Sequence, residues 1–157
     1  MAPIVRVPRP TIHVAVDGVP TPLSRMRSQR VVEAVLRAEK VRSALISVAF
    51  VSDRAIAALN RKHLNHRGPT DVISFGFSRV TPHDSGLVGD IYIAPAVAAR
   101  HAKATRGRVR EELTRLLVHG TLHVLGYEHP ENEGRERSAM WRRQEQLVRR
   151  LSAAGAR

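Results

Sequence analysis

Short β-rich apolar runs alternate along this chain with longer segments whose apolar residues recur at helical spacing. That interleaving restricts the fold more than any other feature. Residues 11–16 (TIHVAV) alternate and end at Asp17-Gly18, which reads as a strand and turn. Residues 23–41 carry Val31, Val32, Val35 and Leu36 on one helical face, and residues 44–51 (ALISVAFV) read as a buried strand. Ser52 and Asp53 suit the N-cap of a helix through about Lys62, with Ile56 and Leu59 inward. A Gly-Pro-punctuated loop at 63–70 leads to a strand at 72–77, a loop at 78–86 and a strand at 87–94. Pro95 fits the first position of a short helix. The strongest helical pattern spans 107–125, with Leu113, Leu116, Leu117 and Leu122, and stops at Gly126, where a left-handed residue belongs. A charged final helix is expected over 131–151, with Met140, Leu147, Val148 and Leu151 inward. Such a sequence predicts an α/β fold: a single domain over residues 1–157, one sheet of about four strands, and helices packed on it. Residues 1–10, with Arg6 and Arg9 among prolines, read as a ragged, flexible arm.

Composition narrows the chemistry. The 157 residues include no cysteine, which excludes disulfides, thiolate zinc sites, iron–sulfur clusters and a Cys nucleophile. Any transition metal must be held by His nitrogen or carboxylate oxygen. The net charge of +12 is spread along the chain and favours a polyanionic partner met by a folded basic surface. Aromatic residues make up 4%, so the core is aliphatic and stacking platforms for bases are few. No apolar run approaches the roughly 20 residues that span a bilayer, and no apolar signal region follows the first arginines. The expected setting is cytoplasmic, away from membranes.

The chemistry concentrates in HGTLHVLGYEH, residues 119–129. His119 and His123 lie four apart on the predicted helix, which sets their Cβ atoms about 6 Å apart on one face. That separation lets two imidazoles chelate one ion at roughly 2.0–2.1 Å each. Gly126 lets the chain leave the helix with positive φ, so His129 can return as a third ligand. Three nitrogens without an obvious fourth donor are the pattern of a catalytic rather than a structural zinc. The spacing matches that of metzincin peptidases. Gly120, however, stands where their general-base Glu would be, and glycine accepts no proton. Glu128 reads as a solvated residue or a partner of a ligand, and Tyr127 as packing beside the ligand loop.

The same segment closely resembles the H-G-x-L-H-L-x-G-Y-D-H signature of the YbeY proteins, metal-dependent endoribonucleases linked to bacterial rRNA maturation. Upstream, Pro69-Thr70-Asp71-Val72-Ile73-Ser74-Phe75 is similar to the family's P-T-D-V-L-S-F, and Gly89-Asp90-Ile91-Tyr92-Ile93 to its G-D-I-x-I. Asn60 matches an Asn ten residues before the T-D-V element. The resemblance implies a mixed α/β domain with a central sheet and one zinc ion on His119, His123 and His129 at the end of a core helix. It also implies RNA as substrate, processing at the 3′ end of 16S rRNA, a part in ribosome quality control, and ribosomal particles or proteins as partners. One departure is plain. Where many members carry Arg and Lys, this chain has Leu64 and His66. Leu cannot bind phosphate; His66 can bind it or act as catalytic acid or base, and Arg67 can supply the displaced charge.

Three readings follow. The first is a zinc-dependent endoribonuclease in which His66 handles protons and Asn60, Arg67 and Ser74 bind substrate; the nucleophile is either water or the RNA's own 2′-hydroxyl. The second is a ribosome-assembly RNA-binding protein with a mainly structural zinc, motivated by Leu64. The third is a metallohydrolase of peptides or small molecules, against which Gly120 counts. Asp71 before a strand fits a turn device better than a groove wall, on which Ser74 and Phe75 are placed. The arginines of the last helix read as a solvated face, or as a stripe turned toward RNA.

Overall fold

The computed structural model describes residues 9–78, 86–131 and 134–155. The expected arm at 1–10 and loop at 78–86 therefore fall largely outside the described residues. The elements run β1 (Thr11–Val16), α1 (Arg25–Ala38), β2 (Ala44–Phe50), α2 (Asp53–Leu64), β3 (Val72–Ser78), β4 (Leu87–Ile93), α3 (Pro95–Ala104), α4 (Val109–Val124), a 3₁₀ turn (Arg135–Arg137) and α5 (Ala139–Gly155). The strands form one mixed sheet in the order β1-β2-β4-β3; β1, β2 and β4 are parallel and β3 is antiparallel to β4. The fold class is thus the α/β arrangement expected.

The alternation of each strand divides the core. Ile46, Val48, Phe50, Ile91 and Ile93 face α1 and α4, while Ile73 and Tyr92 face the opposite side with Ile56 and Val97 of α2 and α3. Helix α4 lies at the centre, against β3, β4, α1, α3 and α5. It is consequently buried on nearly every side, well beyond its leucine stripe. The two buried hydroxyls it carries are satisfied within the helix: Thr114 donates to the Arg110 carbonyl and Thr121 to the Leu117 carbonyl, at 2.9 and 2.7 Å.

Glycines set how closely α4 approaches the sheet. A Cβ at Gly120 would stand 2.7 Å from Ile91 Cγ2, and one at Gly89 2.4 Å from Val124 Cγ1. Helix and sheet therefore meet at backbone distance along the stretch that carries His119 and His123. Gly120, where metzincins have Glu, is a packing residue turned to the sheet.

Helix boundaries differ from the sequence reading, and two of the differences have a clear cause. Helix α2 runs to Leu64 because Asn65 adopts the left-handed conformation (φ 53°) and closes it. The final helix does not begin near residue 131. The side chain of Ser138 accepts from the Trp141 amide at 3.1 Å and starts α5 there, after the 3₁₀ turn.

Candidate metal centre and nucleic-acid groove

Helix α4 ends in a double turn of hydrogen bonds. The Tyr127 amide donates to the Leu122 carbonyl and the Gly126 amide to the His123 carbonyl, with Gly126 at φ 100°. This exit folds the chain back and delivers His129 to the two helical histidines. Suitable nitrogen atoms of His119, His123 and His129 all lie within 4.8 Å of one another. No other His or carboxylate among the described residues joins them.

The outward-facing nitrogen of each ring is already engaged. His119 Nδ1 lies 2.7 Å from Gln144 Oε1, His123 Nδ1 2.9 Å from the Tyr127 carbonyl, and His129 Nδ1 2.9 Å from the Pro130 carbonyl. All three partners are oxygen acceptors, so each Nδ1 carries the proton and each Nε2 keeps its lone pair. His123 Nε2 and His129 Nε2 face one another at 3.1 Å. A shared cation can take the place of a proton between them. Ligand nitrogens about 2.0–2.1 Å from a tetrahedral ion stand roughly 3.3 Å apart, so the His123–His129 pair is spaced for one ion and the group of three can hold it.

Electrostatics point the same way. Burial lowers the pKa of His119 to about 4, and burial likewise lowers that of His123. Both rings are therefore neutral at pH 7, as metal ligands must be. The supports reach across the molecule. Buried Gln144 comes from α5, and the carbonyl holding His123 belongs to Tyr127, whose hydroxyl donates to Glu39 Oε2 at 2.9 Å. That bond, before burial, raises the Tyr127 pKa. Arg143 fastens the same carboxylate, and Arg115 of α4 ties to Glu145 beside Gln144 at 2.8 Å. Sequence reasoning placed Tyr127 correctly beside the ligands but missed Gln144 and Glu39. Glu128 is exposed, as a solvated residue should be.

The histidines open onto a groove of 520 Å³ between the ligand loop and the α2–β3 connection. Asn60, His66, Arg67 and Ser74 all line it. His66 and Arg67 are exposed on the rim. Asn60 is buried, and its amide donates to the Gly68 carbonyl at 3.0 Å, tying down the loop that carries them. Ser74 is on the α4 side of β3. Phe75 is not on the groove wall as expected: the two-residue period of the strand turns it to the other face, edge-on to His63 and Tyr92. The backbone carbonyl of Asp71 accepts from the Ala94 amide, and its carboxylate lies 3.4 Å from His101 Nδ1. Leu64 is 45% exposed beside the groove.

Comparison with known proteins agrees with this geometry. The family described as Endoribonuclease YbeY matches residues 18–152. The chain belongs to that family. Among its relatives, the Endoribonuclease YbeY of Syntrophus aciditrophicus is 37% identical over 124 residues, covering 76% of each chain. That of Pelotomaculum thermopropionicum is 36% identical over 143 residues, 88% of this chain and 91% of the other. The solution structure of TM1509 from Thermotoga maritima superimposes with a TM-score of 0.65 at 22% identity, over 93% of this chain and 92% of that one, and shares the fold. The histidines that converge in this YbeY-family chain are those of the signature motif.

Proposed function

We propose that this chain is a zinc-dependent endoribonuclease that acts in the cytoplasm on the 3′ end of 16S rRNA and serves ribosome quality control, with ribosomal particles as partners. The observation that carries the reading is the convergence of three imidazoles, with candidate ligand nitrogens within 4.8 Å of one another, at the wall of a groove with basic side chains on its rim. His119, His123 and His129 would hold the ion, which when bound would polarise a phosphoryl oxygen or activate water.

The chain's own residues supply the rest. Arg67 attracts a phosphate of the incoming strand. Asn60 positions that contact through Gly68, because its amide is committed to the loop. Ser74 offers a hydroxyl from the sheet side, and His66, which lines the same groove, serves as the proton donor or acceptor. The +12 charge concentrates RNA at the surface and makes binding salt-sensitive.

Exposed Leu64 supports a second reading, in which the protein binds RNA during ribosome assembly and the metal only stabilises it. Elemental analysis of the purified protein, with cleavage of a 16S 3′-end RNA assayed with and without chelator, separates the two. One zinc per chain and chelator-sensitive cleavage support the first reading; bound zinc without turnover supports the second. Cleavage that persists in the chelator overturns the zinc mechanism.

A further inference from the structure

An endonuclease meets RNA on both sides of the bond it cuts, and the groove is not the only space beside the histidines. A second cavity, of 990 Å³, lies against the same centre. His119, Asp71 and Arg135 line both spaces, so the two are continuous past the buried ligand. We propose that this cavity seats the nucleotide on the far side of the scissile phosphate, with Trp141 as the face on which its base stacks; the proposal rests on the endoribonuclease reading above.

The cavity lies within the range of about 300–1,000 Å³ typical of small-ligand sites. Its chemistry suits a base and one phosphate better than a run of backbone. Trp141, the single tryptophan of the chain, is half-buried on its wall, and no aromatic ring among the described residues stacks on it. The bond from its amide to Ser138 Oγ fixes the first turn of α5 and thus where the indole starts.

The cations sort by their partners. Arg115 is occupied by Glu111, Glu112 and Glu145, which leaves it structural. Arg135 and Arg137, on the 3₁₀ turn at the cavity's edge, have no ion-pair partner among the described residues and are placed to take a phosphate. Stacking on an indole tolerates any base, so the site lends affinity and direction rather than sequence choice.

The single tryptophan makes the test direct. The full-length, zinc-loaded protein is mixed with single-stranded RNA, and its fluorescence is followed by stopped flow before cleavage develops. Quenching that saturates with RNA is expected. Trp141→Ala should raise KM for a long oligonucleotide about tenfold while leaving zinc content at the wild-type level, and Trp141→Phe should restore most of the loss. An RNA truncated just past the cleavage site should be insensitive to the Trp141→Ala substitution. Unchanged fluorescence on an RNA that the wild type binds and cleaves overturns the cavity assignment and leaves the nuclease intact. Quenching without cleavage sustains base stacking on Trp141 but overturns the endoribonuclease reading, and with it the cavity's place beside a scissile bond.

Discussion

On one side of the groove, each histidine ring has its outer nitrogen on an acceptor, and those acceptors are tied to α1, α5 and the ligand loop. On the other side, residues 61–69 are all exposed, and the buried Asn60 amide is the side-chain tie that holds the loop. The metal wall is built before its ion arrives, while the substrate wall is held mainly at its base. A wall of the first kind tolerates few changes, since each ligand depends on buried partners. The second can vary at Leu64 and His66 at little cost to folding. Departures from a family's chemistry are therefore expected on the loop rather than on α4.

The hardest blow to this contrast is loss of a ligand. His123→Ala should abolish stoichiometric zinc in elemental analysis and reduce RNA cleavage to the level of chelated wild type, with the far-ultraviolet circular dichroism preserved. Full metal content in that variant would mean that the centre is not where the three rings meet.

Acid should attack the same wall. The folded pKa of His119, about 4, lies below the ordinary imidazole value of 6.5. As pH falls below 6.5 the unfolded chain takes up a proton that the folded chain refuses. The stability this group contributes is complete above pH 6.5 and is lost as pH drops to about 4. The shift corresponds to about 3 kcal/mol. Urea titrations of metal-free protein at pH 7 and pH 4.5 should show the midpoint falling. Equal midpoints would show that the His119 site is wet and loosely held.

Gln144 tests whether preorganisation matters to the ion. Gln144→Leu removes the acceptor from a buried Nδ1–H and should weaken zinc binding about 10–100-fold in a competition titration with a chelating dye. Gln144→Glu should restore it. Undiminished affinity in the leucine variant would reduce this contact to ordinary packing.

What could be read from the sequence follows from distance along the chain. His119, His123 and His129 fall in one short segment, and a helix period and a glycine exit suffice to join them. The strands were legible to within a residue because burial on the sheet imposes alternation. Gln144 lies 25 residues from the ring it holds and Glu39 88 from Tyr127, so only tertiary packing brings them together. Phe75 was misplaced because neighbouring strand residues point to opposite faces, so it could not share the groove wall with Ser74. The start of α5 was misread because the charged residues before Ser138 look helical, whereas the serine cap sets the boundary.

The exposed loop gives the smallest effect and the sharpest comparison. Leu64→Arg adds a cation beside the groove at a position already 45% in solvent, so stability should hardly move. If the loop only gathers RNA, the gain appears in KM, and the salt dependence of binding to a single strand steepens by about 0.7 in log–log slope, one added phosphate contact. If the cation also meets charge that develops during cleavage, kcat rises with it, because only interactions stronger in the transition state speed the chemical step. An unchanged slope with unchanged KM would show that the strand does not pass position 64, and the substrate wall would then have to be sought on the Arg135 side of His119.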